Sequence, residues 1–150
     1  MYKKFALVLL LTVGFLGGSA AKLFAQKDKI EGLWYNEEKT AKIQIYKAVD
    51  GYFWGKIVWL KEPDRDGKPK LDINNSKESF RSRPEMNMPV LSRFTKKSED
   101  TYGGGEIYDP KNGKTYSSTI TYRSDKELGI RGYVGISLLG RTTTWTRATE

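Results

Sequence analysis

TAKIQIYKAVDGYFWGKIVWL, residues 40–60, is two alternating runs hinged on a turn. In the first run, Thr40 to Lys47, Ala41, Ile43 and Ile45 fall on one face and Lys42, Gln44 and Tyr46 on the other. That two-residue period is the mark of a half-buried strand. Asp50-Gly51 supplies the residues of a tight hairpin turn. The second run, Tyr52 to Leu60, sets Phe53, Gly55, Ile57 and Trp59 against Tyr52, Trp54, Lys56, Val58 and Leu60, so both faces are largely apolar. Such a strand needs cover on both sides.

Working outward, the same pattern repeats. Upstream, Ile30 to Asn36 reads as a strand. Downstream, Thr101 to Tyr108, Lys114 to Arg123, Glu127 to Val134 and Gly140 to Arg147 are four more, the first two hinged on Asp109-Pro110-Lys111-Asn112-Gly113. Between the halves lies a long connection, Lys61 to Phe94, punctuated by five prolines or turn pairs: Pro63, Asp66-Gly67, Pro69, Pro84 and Pro89. Its helical prospect is a turn or two at Ser76 to Ser82, where Asn75 and Glu78 resemble a capping box and Pro84 enforces an end. Met86, Met88, Val90, Leu91 and Phe94 are too apolar for a solvated loop. The connection is therefore expected to pack back on the sheet or across a barrel mouth, with its last residues forming a strand. The expected fold is all-β: an antiparallel up-and-down barrel of about eight strands with one long, partly helical connection.

The first 25 residues have a different character. Lys3 and Lys4 precede an apolar run, Phe5 to Phe15, followed by the small residues Gly17, Gly18, Ser19, Ala20 and Ala21. This is the layout of a secretory signal peptide, with an apolar run too short to span a bilayer. Cleavage is expected after Ala25, with Ala21 the alternative site and a retained anchor the alternative fate. Residues 26–150 would then form one domain, in the periplasm or outside the cell, with no stable membrane anchor. The chain has no Cys, so its fold rests on burial without disulfides. The formal charge of +8 drops to +5 once Lys3, Lys4 and Lys22 leave with the leader. An excess of that size serves solubility, or loose attraction to anionic surfaces, rather than nucleic-acid binding.

Catalytic chemistry is poorly supplied. With no His and no Cys, the usual general base, the thiol nucleophile and nearly every zinc site are missing. Ser82, Ser92 and Ser137 sit in no nucleophile context, and Glu106 with Asp109, or Asp64, Asp66 and Asp72, read as turn acids rather than a hydrolytic pair. Asp64-Arg65-Asp66-Gly67 lacks the later ligands of a calcium loop. Gly103-Gly104-Gly105 leads into a strand, so it marks bulges rather than a phosphate loop. No enzyme activity, metal or cofactor is expected.

What remains points to binding. Gly32-Leu33-Trp34 in the first strand, with Arg141, Trp145 and Arg147 in the last, resembles the pairing by which lipocalin-like barrels close their base, a guanidinium stacked on an indole. Trp54, Trp59, Tyr116, Tyr122 and Tyr133 either line a cavity or fill the core. Arg81 and Arg83 either meet an anionic ligand at the mouth or pair internally with Asp72 or Glu78.

Blocks along the chain also carry a family likeness. They are Gly55 to Pro63, Gly67-Lys68-Pro69, Asp72, Arg81-Ser82-Arg83-Pro84, Gly104 to Pro110, Asn112 to Tyr116, Arg131 to Gly135 and Trp145-Thr146-Arg147. In order and spacing, from about Ile30 to Arg147, they resemble the bacterial domain-of-unknown-function family 2147. The resemblance implies a small exported protein of Gram-negative bacteria with a lipocalin-like barrel, and it transfers no catalytic residue. Many relatives carry cysteines in the second hairpin and the last loop, which this chain lacks. The expected function is capture of a small, partly apolar or amphipathic ligand. The alternative is an envelope interaction module with a filled core and the Lys61 to Phe94 connection as its contact surface, marked by an exposed outer face of Tyr52 to Leu60 together with Met86 and Met88.

Overall fold

The computed structural model describes residues 26–149; the expected leader, residues 1–25, lies outside them. Ten strands follow one another: β1 (Gly32–Tyr35), β2 (Ala41–Lys47), β3 (Phe53–Leu60), β4 (Asp64–Arg65), β5 (Lys68–Pro69), β6 (Pro89–Lys96), β7 (Thr101–Asp109), β8 (Lys114–Ser124), β9 (Glu127–Tyr133) and β10 (Arg141–Arg147). Eight of them close an antiparallel barrel in sequence order, β1 through β3 and then β6 through β10, with β10 pairing back on β1. Closure leaves no unpaired edge.

β4 and β5 form a small separate hairpin inside the long connection. Asp66 and Gly67 make its turn with positive φ at both positions, so the acids of Asp64-Arg65-Asp66-Gly67 belong to a surface turn. The helical content of the connection is one short 3-10 turn, Glu78–Phe80, smaller than the reading of Ser76 to Ser82.

Alternation places Trp34, Ile43, Ile45, Phe53, Ile57, Leu91, Phe94, Tyr102, Ile120, Leu128, Ile130 and Trp145 in one continuous buried core. Phe53 and Tyr102 meet edge to face, centroids 5.3 Å apart. Irregularities in pairing matter as much as the alternation. A register shift between Lys42 and Ile43 leaves Val58 as an extra residue on β3, because Lys42 opposes Trp59 and Ile43 opposes Ile57. The shift turns Leu60 inward and Trp59 outward, correcting the face that simple alternation assigned to them. On β7 the run Gly103-Gly104-Gly105 accompanies a second irregularity, with Gly104 at φ +72°.

Candidate functional site

Strand direction gives the barrel two different ends. One holds the starts of β1, β3, β7 and β9, and it is sealed. The Arg147 guanidinium lies 3.9 Å above the Trp34 ring centroid. Its Nε donates to the Asp125 carbonyl at 2.8 Å, Nη1 to Glu31 at 3.0 Å and Nη2 to Lys29 at 2.9 Å. Trp34 Nε1 donates to the Ile30 carbonyl at 2.8 Å, and Ile30 is wholly buried beneath. Gly32 makes room for this arrangement: its φ is +130°, and a Cβ there would lie 2.7 Å from Arg147 Nη1. Trp145 is buried alongside. Asp28 ties the leading segment to the wall by accepting from the Tyr102 hydroxyl and from Lys96. Burial opposes ionisation of Asp28, but those two donors outweigh it and hold the carboxyl below its ordinary value.

The opposite end carries the β1–β2 and β7–β8 turns, the long connection and the β9–β10 loop, residues 134–140. Here the inward positions become small or reachable. Ser118 on β8 pairs with Gly105 on β7 and Gly132 on β9, and the space these glycines leave is taken by Phe94, which a Cβ at Gly105 would meet at 2.5 Å, and by Ile107 and Tyr116 beside Gly132. Ile107, Tyr116 and Thr143, inward by alternation, are only half-buried, and the Arg141 side chain stands 83% exposed at the rim. Ser118 itself is 0% exposed, and its Oγ finds no hydrogen-bond partner. An orphaned buried hydroxyl costs about 1–3 kcal/mol.

The sequence-selected residues divide sharply. Tyr116 lies at the open end, its hydroxyl accepting from Asn112 Nδ2 at 2.9 Å. Trp54, Trp59 and Tyr133 do not line the interior. Trp54 alternates outward and donates to Asp50, while Trp59 is 37% exposed and packs edge-on against Tyr35. Tyr133 lies on the outer face of β9, beside a surface groove with Tyr52, Arg93 and Lys97. Arg83 pairs with the wholly buried Asp72, as one of the two readings had it; Arg81 instead donates Nε to the Asn75 carbonyl at 2.8 Å. Met88 is 2% exposed and Met86 half-buried, so neither offers the outward contact surface drawn for them.

Asp72 organises the connection. It also accepts from Asn75 Nδ2 at 2.8 Å and from the Tyr108 hydroxyl at 2.5 Å. Burial, then that hydrogen bond and the carboxylate charge, push the Tyr108 hydroxyl up to about 12. Folding thus favours the protonated phenol: the contribution is whole below the ordinary tyrosine value of 10.0 and is lost as pH rises toward about 12. Absorbance titration should show Tyr108→Phe losing a chromophore that ionises near pH 12.

Two features escaped the sequence reading. Ser118 carried no signal until its glycine neighbours were known. The β9–β10 loop did carry one: Val134, Ile136, Leu138 and Leu139 form an apolar run inside a hairpin connection, and they are 70%, 60%, 82% and 76% exposed. Among the described residues no group of three or more acids stands close enough to hold a metal ion.

No curated protein matches the chain. Among solved structures, a protein of the human pathogen Helicobacter pylori described as belonging to the lipocalin family is similar, with 23% identity, a TM-score of 0.71, and coverage of 82% of this chain and 85% of that one. At that identity the likeness bears on fold, and it matches a barrel sealed by Trp34 and Arg147 at one end. A bacterial family described as uncharacterised proteins conserved in bacteria matches residues 32–147, from the first strand of the barrel to the last. The chain therefore belongs to this family, domain of unknown function 2147, and builds it as a lipocalin-like barrel.

Proposed function

We propose that this protein is an exported bacterial carrier or sensor that takes a small, partly apolar ligand into the open end of its barrel, and that it is not an enzyme. The observation that carries the reading is the Ser118 hydroxyl: fully buried, without a partner, and set among glycines below a rim of half-buried inward side chains. A mostly apolar recess with a few fixed polar groups is what orients a small amphipathic molecule. Trp34, Phe53, Phe94, Tyr102 and Trp145 fill the rest of the barrel, so the ligand sits shallow, with Tyr116 and Thr143 beside it. Export by the leader places this binding in the periplasm or outside the cell.

Ser118→Ala separates the two roles of the hydroxyl. Without ligand, removing the orphaned group should leave stability unchanged or raise it by about 1 kcal/mol. Displacement of 1-anilinonaphthalene-8-sulfonate by lauric acid should show affinity for the fatty acid weakened up to about tenfold, the value of one hydrogen bond. Failure of wild type to bind either probe, together with no small molecule seen by mass spectrometry after gentle isolation from its host, would overturn the proposal.

A further inference from the structure

We propose that the open end of the barrel docks on an anionic lipid surface through the β9–β10 loop. Among the described residues, eight large apolar side chains are exposed, and four of them crowd into this one loop: Val134, Ile136, Leu138 and Leu139. The others, Val49, Trp59, Ile73 and Phe80, are scattered. Scattered exposure is ordinary, whereas a contiguous patch of roughly a few hundred Å² marks an interaction site.

The loop is held projecting. A 3-10 turn spans Ser137–Leu139, the Leu139 amide donates to the Ile136 carbonyl at 3.1 Å, and Arg131 Nη2 donates to the Leu138 carbonyl at 3.2 Å. The backbone is thus braced from below while the aliphatic chains point away from the barrel. Other turns at this end are polar, Asn36 to Lys39 and Asp109 to Gly113.

Shape and charge select the occupant. Four apolar side chains on one loop are few beside the roughly 20–30 residues per side of a stable protein interface, so a second copy or a flat protein partner gains little from them. A bilayer accepts a convex apolar tip directly, burying it at the boundary of headgroups and chains. Lys39, Lys111, Lys114 and Arg141 stand at the same end, against Glu37, Glu38 and Asp109, and residues 26–150 carry a formal charge of +5. Arg141 pairs with Glu37 and Lys111 with Glu38, which leaves Lys39 and Lys114 against Asp109. Lipid of negative charge is therefore preferred to neutral lipid. Docked this way, the mouth that holds Tyr116 and Ser118 faces the membrane, whatever the barrel carries.

The test is co-sedimentation of residues 26–150, which hold every strand of the closed barrel, with vesicles of phosphatidylglycerol and phosphatidylcholine or of phosphatidylcholine alone. Binding is expected to the anionic vesicles, weakened by salt, and reduced at least tenfold in the double variant Leu138→Asp, Leu139→Asp. Those side chains are exposed, so the thermal midpoint of the variant should match wild type. Absence of vesicle binding, or equal binding by the variant, overturns the proposal. So does a concentration-dependent dimer by light scattering that the double variant abolishes, which would assign the loop to a second copy. Fatty-acid displacement is read without vesicles, so failure of ligand capture and failure of docking are told apart.

Discussion

Trp34→Ala should lower the stability of the barrel by about 3–5 kcal/mol, the range for deleting a fully buried tryptophan. Three losses coincide at this residue. The indole is 0% exposed, so its removal opens a cavity where Ile43 and Ile45 of β2 line the same interior. Its Nε1 no longer holds the Ile30 carbonyl, which frees the segment that caps the sealed end. The Arg147 guanidinium loses the ring beneath it while still fixed to the carbonyls of Lys29, Glu31 and Asp125. Urea unfolding followed by circular dichroism measures the change, and an unchanged slope with denaturant would show that the loss is one of stability rather than compactness. Trp34→Phe should recover about half, because it keeps a ring for the guanidinium but no donor. A loss below about 1 kcal/mol would mean that this end is held by its backbone ladder and that the stacked pair is ornamental.

Much of this architecture was legible in residues 40–60 and the turns around them. Alternation and turn chemistry are local, so the strand from Ala41 to Lys47, the turn at Asp50-Gly51 and the hairpin at Asp109 to Gly113 are written in neighbouring residues. What was misread depends on pairing. The extra residue at Val58 exists only because β2 slips against β3, and that slip sends Trp59 outward. The same holds at the mouth. Whether Val134 to Leu139 lie buried is decided by what stands over them, and among the described residues nothing covers them. Ser118 is an ordinary strand serine by sequence; Gly105 and Gly132 on adjacent strands make it a candidate site. Arg83 could be read because one buried acid, Asp72, lay in reach along the connection, whereas Arg81 found a backbone carbonyl, a partner that sequence does not advertise.

Asp72→Ala should cost about 3 kcal/mol, concentrated in the connection rather than in the barrel. The carboxylate is 0% exposed and takes Arg83 Nε at 3.2 Å, Arg83 Nη2 at 3.0 Å, Asn75 Nδ2 and the Tyr108 hydroxyl. Its removal strands a cation, an amide and a phenol together. Breaking a buried pair from one side costs about 3–5 kcal/mol when the remaining charge is fully desolvated. The Arg83 side chain is 33% exposed and can turn partly to water, which brings the figure to the low end. The backbone defines where the loss is felt. The Asp72 amide donates to the Arg83 carbonyl, Leu71 bridges Pro84, and the Glu85 amide donates to the Lys70 carbonyl, so the two limbs of the connection are clasped at this level. Asn74 fastens the clasp to the β7–β8 turn through the carbonyls of Pro110 and Lys111, and a Cβ at Gly113 would collide with its carbonyl. Hydrogen exchange should therefore quicken across residues 70–85 in Asp72→Ala, while β8 and β9, which are paired with barrel strands on both sides, stay protected. Asp72→Asn should lose less, since one carbonyl oxygen still accepts. Uniform acceleration through all eight barrel strands would show instead that the connection is part of the cooperative core, and that the barrel does not stand without its clasp.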